Sequence, residues 1–193
     1  MIKLGQIASV QMGYSFRSRV DLIESGAIAV IQMKDLTHEN VVDISDLART
    51  EIYNLADHHL VNPGDLIFRS RGQVLQSAIL TVSPGRAVLA APLLRIRVTG
   101  NSVLAEYLNW YINQVPAQYQ LARHASGTAQ QMIGIQTLLD LEVALPPIEL
   151  QKKVCQIAAF GEKEQRLRAI IADKRRKLLA STLTTIVMGG ETH

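Results

Sequence analysis

The sequence predicts an α+β fold: a mixed α/β domain over residues 1–146, a long C-terminal helix over 147–188 and a short flexible tail, 189–193. Two observations carry this. Between residues 26 and 98, short apolar runs alternate with Gly- and Pro-containing turns, the pattern of a sheet built from short strands. After Pro147 there is no further proline, and Leu150, Val154, Ile157, Phe160, Leu167, Ile171, Leu178 and Leu179 recur at spacings of mostly three, four or seven, which marks one apolar stripe on a helix.

Taken in order, Leu4, Ile7, Ala8 and Val10 read as an opening helical turn or an irregular strand, followed by a loop over 13–19. Residues 26–33 read as a buried strand leading into a polar stretch, 34–40, with 41–44 available to pair with it. Asn62-Pro63-Gly64-Asp65 is a tight turn. The strand over 66–71 then ends at Gly72, and period-two geometry puts Arg69 and Arg71 on one face with Ile67. Residues 77–82 and 87–98 continue the sheet around Ser83-Pro84-Gly85, with Pro92 marking an edge or a bulge. Arg95 and Arg97 share a face there; as exposed strand positions they are assigned no role.

Leu104, Tyr107, Leu108, Tyr111 and Val115 give a helix face, with Ser102 as its expected N-cap. Pro116 ends that helix or starts the next turn, and 118–123 is helical again. Thr128 with Gln131 forms a capping-box pattern that predicts a short helix starting there, interrupted by Gly134. Residues 141–145 read as a strand ended by Pro146-Pro147. A helix starting at about Pro147 and running to Val187 would span roughly 60 Å. Gly161, Glu164 and Lys174 interrupt its stripe, and Ser181-Thr182 with Thr184-Thr185 weaken its last turns, so a bend or fraying is expected. Such a stripe needs a covering surface, either its own domain or a second chain.

Nearly half the residues are hydrophobic (48%) and 19% are charged, which argues against disorder. Cys155 is the single cysteine, so an internal disulfide framework and a cysteine-rich zinc site are excluded, and a reducing cytoplasm fits. No run has the length of a membrane span and no leader-like segment opens the chain, so a soluble protein with no membrane partner is expected. Charge is uneven. Residues 1–149 hold 11 basic and 13 acidic groups, a net of −2, and residues 150–193 hold 9 and 4, a net of +5. DNA contact by the domain would therefore rest on local clusters. One such cluster is Tyr14, Arg17 and Arg19 in the first loop; its plainer reading is an ordinary polar loop. The basic run around Lys174-Arg175-Arg176-Lys177 suits phosphate or an acidic partner as well as it suits a solvated helix face.

Catalytic patterns are missing. His124 and Ser126 have no nucleophile elbow around them, His58-His59 is not spaced for a shared metal, and the glycines form neither a phosphate loop nor a dinucleotide fingerprint. No catalysis and no metal are expected of the chain itself.

Four stretches carry a resemblance that spans nearly the whole chain. They are Leu4-Gly5-Gln6-Ile7-Ala8 with the Gly-containing loop after it, residues 64–72 (Gly-Asp-Leu-Ile-Phe-Arg-Ser-Arg-Gly), residues 127–131, and residues 145–151 (Leu-Pro-Pro-Ile-Glu-Leu-Gln) entering the long helix. The last two are the most specific. In these the sequence resembles half of a specificity subunit of a type I restriction-modification system, with one recognition unit where family members usually carry two. The resemblance implies a target recognition domain for double-stranded DNA and a helical spacer that packs as a coiled-coil-like dimer through Leu150, Val154, Ile157, Phe160, Leu167, Ile171 and Leu178. It implies DNA-methyltransferase subunits as partners, with S-adenosylmethionine bound on them and no cofactor on this chain. It leaves open whether a restriction (nuclease/translocase) subunit joins. A homodimer would read a split palindromic site. The residues expected to face DNA are Tyr14, Arg17, Arg19, Lys34, Arg69, Arg71, Gln73, Arg123, Thr128, Gln130 and Gln131, since Arg and Gln match guanine and adenine edges and Lys binds phosphate. Thr128 also has its capping role. The other reading is a non-catalytic protein-interaction or regulatory module of a defence system that keeps the fold without selecting DNA.

Overall fold

A computed structural model describes residues 1–16, 26–72, 74–124 and 132–189. They fall into two units, Met1–Lys153 and Val154–His193.

Among its described residues the first unit holds three sheets. β1 (Ile2–Lys3) pairs with β9 (Glu142–Val143). A four-stranded antiparallel sheet has the order β2 (Ala8–Met12), β8 (Leu93–Val98), β5 (Leu66–Arg69), β6 (Gln76–Ile79). A three-stranded sheet has β3 (Ile28–Ile31) between antiparallel β4 (Ala48–Thr50) and parallel β7 (Ala87–Leu89). All four residues of β3 are buried, as expected for a central strand covered on both faces. On one side Ala29, Ile31, Ala87 and Leu89 share a core with Ile67, Ala78 and Leu93 of the larger sheet, and on the other Ile28, Val30 and Val88 receive Tyr14 and Phe16.

The apolar run 87–98, read as one strand, is two strands in different sheets. The chain crosses between them at Ala90-Ala91-Pro92, where the Ala91–Pro92 peptide is cis. Residues 41–44 do not pair with β3: β4 takes that edge, and Val41 bridges to Ile79 at the edge of β6. The opening segment is a 3-10 turn, Leu4–Gln6, followed by β2.

Helices α1 (Ala105–Ile112), α2 (Val115–His124) and α3 (Ile135–Leu139) follow. Tyr107, Leu108 and Tyr111 are buried as expected, but Val115 starts α2 and is 81% exposed. Pro116 sits in the first turn of α2, where its missing N–H has no cost. Gly134 does not interrupt a helix; it is the N-cap of α3. The predicted start at Thr128 and Gln131 lies outside the described residues.

Ser102 does not cap α1. The N-cap is Leu104, and its amide donates to the side chain of Gln151, at 3.0 Å, in the first turns of α4 (Ile148–Gly189). Gln151 is completely buried, and its Nε2 donates to the carbonyls of Ser102 (3.0 Å) and Pro146 (2.8 Å). One amide thereby ties the strand exit, the start of α1 and the start of α4.

Two further amides close strand edges. Asn113 accepts from the Ser77 amide at 3.0 Å and donates to its carbonyl at 2.8 Å on β6. Gln120 does the same to Glu142 on β9, at 3.0 and 3.2 Å.

In the second unit α4 continues as helix through Gly189, past the expected weak turns at Ser181–Thr185. The Thr184 and Thr185 hydroxyls donate to the carbonyls four residues back, at 2.8 and 3.0 Å, so each hydroxyl is satisfied within the helix. Glu164–Arg168 and Asp173–Lys177 are ion pairs one turn apart. Ile157, Phe160, Leu167, Ile171 and Leu178 of the stripe are exposed, 72% for Ile157 and Phe160, and Val154 is half-buried. Leu150, in the first unit, is exposed as well.

Candidate nucleic-acid interface

The turn between β7 and β8 gathers chain from three directions. The Gly13 amide donates to the Leu93 carbonyl (2.8 Å), and the Tyr14 amide to the Leu89 carbonyl (2.6 Å). The Ala91 amide returns to the Tyr14 carbonyl (3.0 Å). The Ala90 amide donates to Ile31 (2.9 Å), and the Ser70 hydroxyl to Pro92. Because β2 and β5 both run antiparallel to β8, with Met12 opposite Leu94 and Arg69 opposite Leu93, their C-terminal ends lie at the same end of the sheet. Parallel pairing of Ile31 with Leu89 brings the end of β3 there too. The loop after Gly13, the turn holding Lys34 and the Arg69–Arg71 segment at the end of β5 therefore leave from one end of the domain. The approach at Gly13 is close: a Cβ there would stand 2.8 Å from the Leu89 oxygen and 3.0 Å from that of Leu93, so only glycine fits.

Five predicted contact residues are described. Tyr14 is half-buried, its ring 5.0 Å from Phe16 and 5.3 Å from His59 in edge-on contacts, so much of it is used for packing. Lys34 is exposed on the 3-10 turn Met33–Asp35, 3.5 Å from Asp35. Burial pushes the Asp35 carboxyl above its ordinary range. Arg69 is half-buried at the end of β5, and its Nε donates to the Arg71 carbonyl at 3.4 Å. Arg71 is exposed but does not continue the strand as predicted. It forms an antiparallel bridge with Met132, beside a 2.8 Å bond from the Ile133 amide to the Ser70 carbonyl. Gly72, at φ +122°, then turns the chain in a conformation that favours glycine. Arg123 is exposed in the last turn of α2, 5.9 Å from the Tyr119 ring. The structure thus brings Met132 and Ile133 against Arg71 and Ser70. Arg17, Arg19, Gln73, Thr128, Gln130 and Gln131 lie outside the described residues.

Of Arg95 and Arg97, both read as exposed, the first is buried and the second half-buried. Arg95 is 8% exposed and donates to the carbonyls of His58 and Leu60, both at 2.8 Å, and to the Gln11 side chain at 2.6 Å. Burial draws its guanidinium below the usual range. Arg97 forms a two-pronged bond to the buried Asp65 carboxylate at 2.6 and 2.7 Å, which raises its own pKa. Neither adjacency in sequence nor strand period reveals this, because the partners lie between 32 and 84 residues away in the chain. Gln151 was likewise missed, although it ends the motif at 145–151.

A cleft of about 480 Å³ is lined by Lys3, Gln120, His124, Thr137, Asp140 and Glu142 among others. Lys3 and Asp140 pair across it at 2.7 Å, which holds the Asp140 carboxyl below its ordinary range. Among the described residues no group of three or more His, Cys, Asp or Glu is placed to hold a metal, and no helix is long and apolar enough to cross a membrane.

No protein-family model and no curated protein matches the sequence. The fold, however, is found in solved structures. A chain from a study of complex assembly and conformational transition of the type I restriction-modification system matches 95% of this chain with a TM-score of 0.68 at 17% identity. The HsdS subunit of Thermoanaerobacter tengcongensis matches 84% at 0.63 and 18% identity. The type I restriction-modification S subunit of M. genitalium matches 98% at 0.58 and 14% identity. This chain spans 44%, 37% and 46% of those chains, less than half their length. The likeness establishes a shared α+β fold with a long C-terminal helix.

Proposed function

We propose that this chain is a half-size, non-catalytic DNA-recognition subunit of a type I restriction-modification complex, with residues 1–146 as the recognition domain and the helix from 147 as spacer. The observation that carries the reading is the common exit of the Tyr14 loop, the Lys34 turn and the Arg69–Arg71 segment at one end of the sheet, on the fold of the S-subunit structures. Arginine at such a surface matches guanine O6 and N7 bidentately, and lysine supplies phosphate affinity. The residues assigned to DNA are Tyr14, Arg17, Arg19, Lys34, Arg69, Arg71, Gln73, Arg123, Thr128, Gln130 and Gln131, with Tyr14 and Thr128 also structural.

Two copies pair through Leu150, Val154, Ile157, Phe160, Leu167, Ile171 and Leu178. The exposure of most of these side chains supports that pairing. Such a dimer presents two recognition domains to the halves of a split palindromic site and docks methyltransferase subunits, which bring S-adenosylmethionine.

Co-expression with a neighbouring methyltransferase, followed by mapping of methylated bases, tests this. A split palindromic motif that depends on the chain is expected; unchanged methylation by an active methyltransferase refutes it. The second reading, an interaction module that no longer selects DNA, is favoured by charge. The domain is net acidic, and Arg95 and Arg97 among its basic groups are engaged internally. Under that reading the helix still pairs but methylation does not follow the chain.

A further inference from the structure

The bridge between Arg71 and Met132 has a geometry of its own. Residues directly opposite in an antiparallel pair carry their side chains on the same face, with Cβ atoms about 4.5–5.5 Å apart. Both are exposed, Met132 at 45%, although Ser70 and Ile133 beside them are buried at 2% and 1%. Gly72 turns the chain immediately after, and the Ile133 amide fixes the register on the Ser70 carbonyl. A guanidinium and a thioether are thus held side by side on a short two-stranded platform at the DNA-facing end.

We propose that Arg71 and Met132 act as a specificity-determining pair that reads two neighbouring base pairs in the major groove: Arg71 on guanine, and Met132 on the C5-methyl group of an adjacent thymine. The inference rests on the DNA-recognition reading and sharpens it. The chemistry is complementary. Guanine offers two acceptors to a planar fork of donors, and the thymine methyl is the apolar mark on the major-groove edge. Methionine, unbranched and polarizable, fits such a methyl without a hydrogen bond. An exposed methionine paired with arginine has no need of burial in the domain's own core, so its substitution should leave the fold intact.

The test is selection of bound duplexes by the purified full chain from a randomised library prepared once with thymine and once with uracil, which lacks only the methyl. Wild type should enrich guanine next to thymine, and uracil at that position should weaken binding about fourfold, the effect of one buried methyl group. Met132→Gln should keep the guanine and lose the thymine-over-uracil preference; Arg71→Gln should lose the guanine preference. Met132→Leu, which stays apolar, should retain the thymine preference. Selective binding that ignores the thymine methyl, or a preference that survives in Met132→Gln, overturns this pairing alone. If no sequence is enriched at all, the DNA-recognition reading falls and takes the pair with it.

Discussion

Replacing Gln151 by leucine keeps the side chain's bulk and removes its amide. In the structure that amide makes three hydrogen bonds, to the Leu104 amide and to the carbonyls of Ser102 and Pro146, at 2.8–3.0 Å in a place with no solvent access. Each bond is worth about 1 kcal/mol net, and the Leu104 amide left without its acceptor costs about 1 more. The total is about 4 kcal/mol. For a unit of this size about 1 kcal/mol moves the melting point by roughly 2–4 °C, so a fall of about 10 °C is expected. Trp110, the single tryptophan and a residue of α1, gives a fluorescence signal from the helix that Gln151 caps. Lys152→Ala is the control: its pair with Glu149 is exposed on both sides and should matter by less than about 0.5 kcal/mol. A Gln151→Leu protein melting within about 2 °C of wild type would refute the argument that this amide joins α1 to the start of α4.

Gly13→Ala should destabilise the protein by about 2 kcal/mol, because its Cβ would meet the backbone of Leu89 and Leu93 rather than a yielding side chain; urea unfolding reads this directly. Asp65→Asn should lower the urea midpoint by the equivalent of about 2–3 kcal/mol, since it takes the counter-charge from Arg97 while that guanidinium keeps only a third of its side chain in solvent. The Lys3–Asp140 pair should show in acid. Its carboxyl is held below the ordinary value, so its contribution is present above that value and is lost as pH falls through the lowered one. Asp140→Asn should therefore be less stable than wild type at neutral pH and equal to it in strong acid, and a gap that persists in acid would contradict the assignment.

How much of this could be read in the sequence follows from the range of each interaction. The apolar runs at 28–31 and 66–69 and the long helix from 148 are local patterns, and they are legible. The split of 87–98 was not, because both halves are apolar and the change of sheet at Ala90 is a fact of tertiary pairing. Ser102 had the right chemistry for a cap and was displaced by Gln151, 47 residues from the amide it accepts. Arg95 and Arg97 look like solvent-facing strand residues until Asp65 and the Leu60 carbonyl are placed beside them. At the candidate interface, the arginines were visible by type. Their neighbour Met132 became visible only once the bridge put it opposite Arg71.

Asn113 and Gln120 sit seven residues apart, and each occupies both the donor and the acceptor of one residue at a sheet margin. An open margin is a template on which another polypeptide can add itself, strand upon strand, without regard to sequence. With Ser77 and Glu142 answered by side-chain amides, these two residues offer a newcomer neither a donor nor an acceptor. Growth into fibres is discouraged there, and association is left to side-chain surfaces, which can choose their partner. An acid in place of either amide accepts but does not donate, so Asn113→Asp would leave the Ser77 carbonyl unanswered and reopen half of that template.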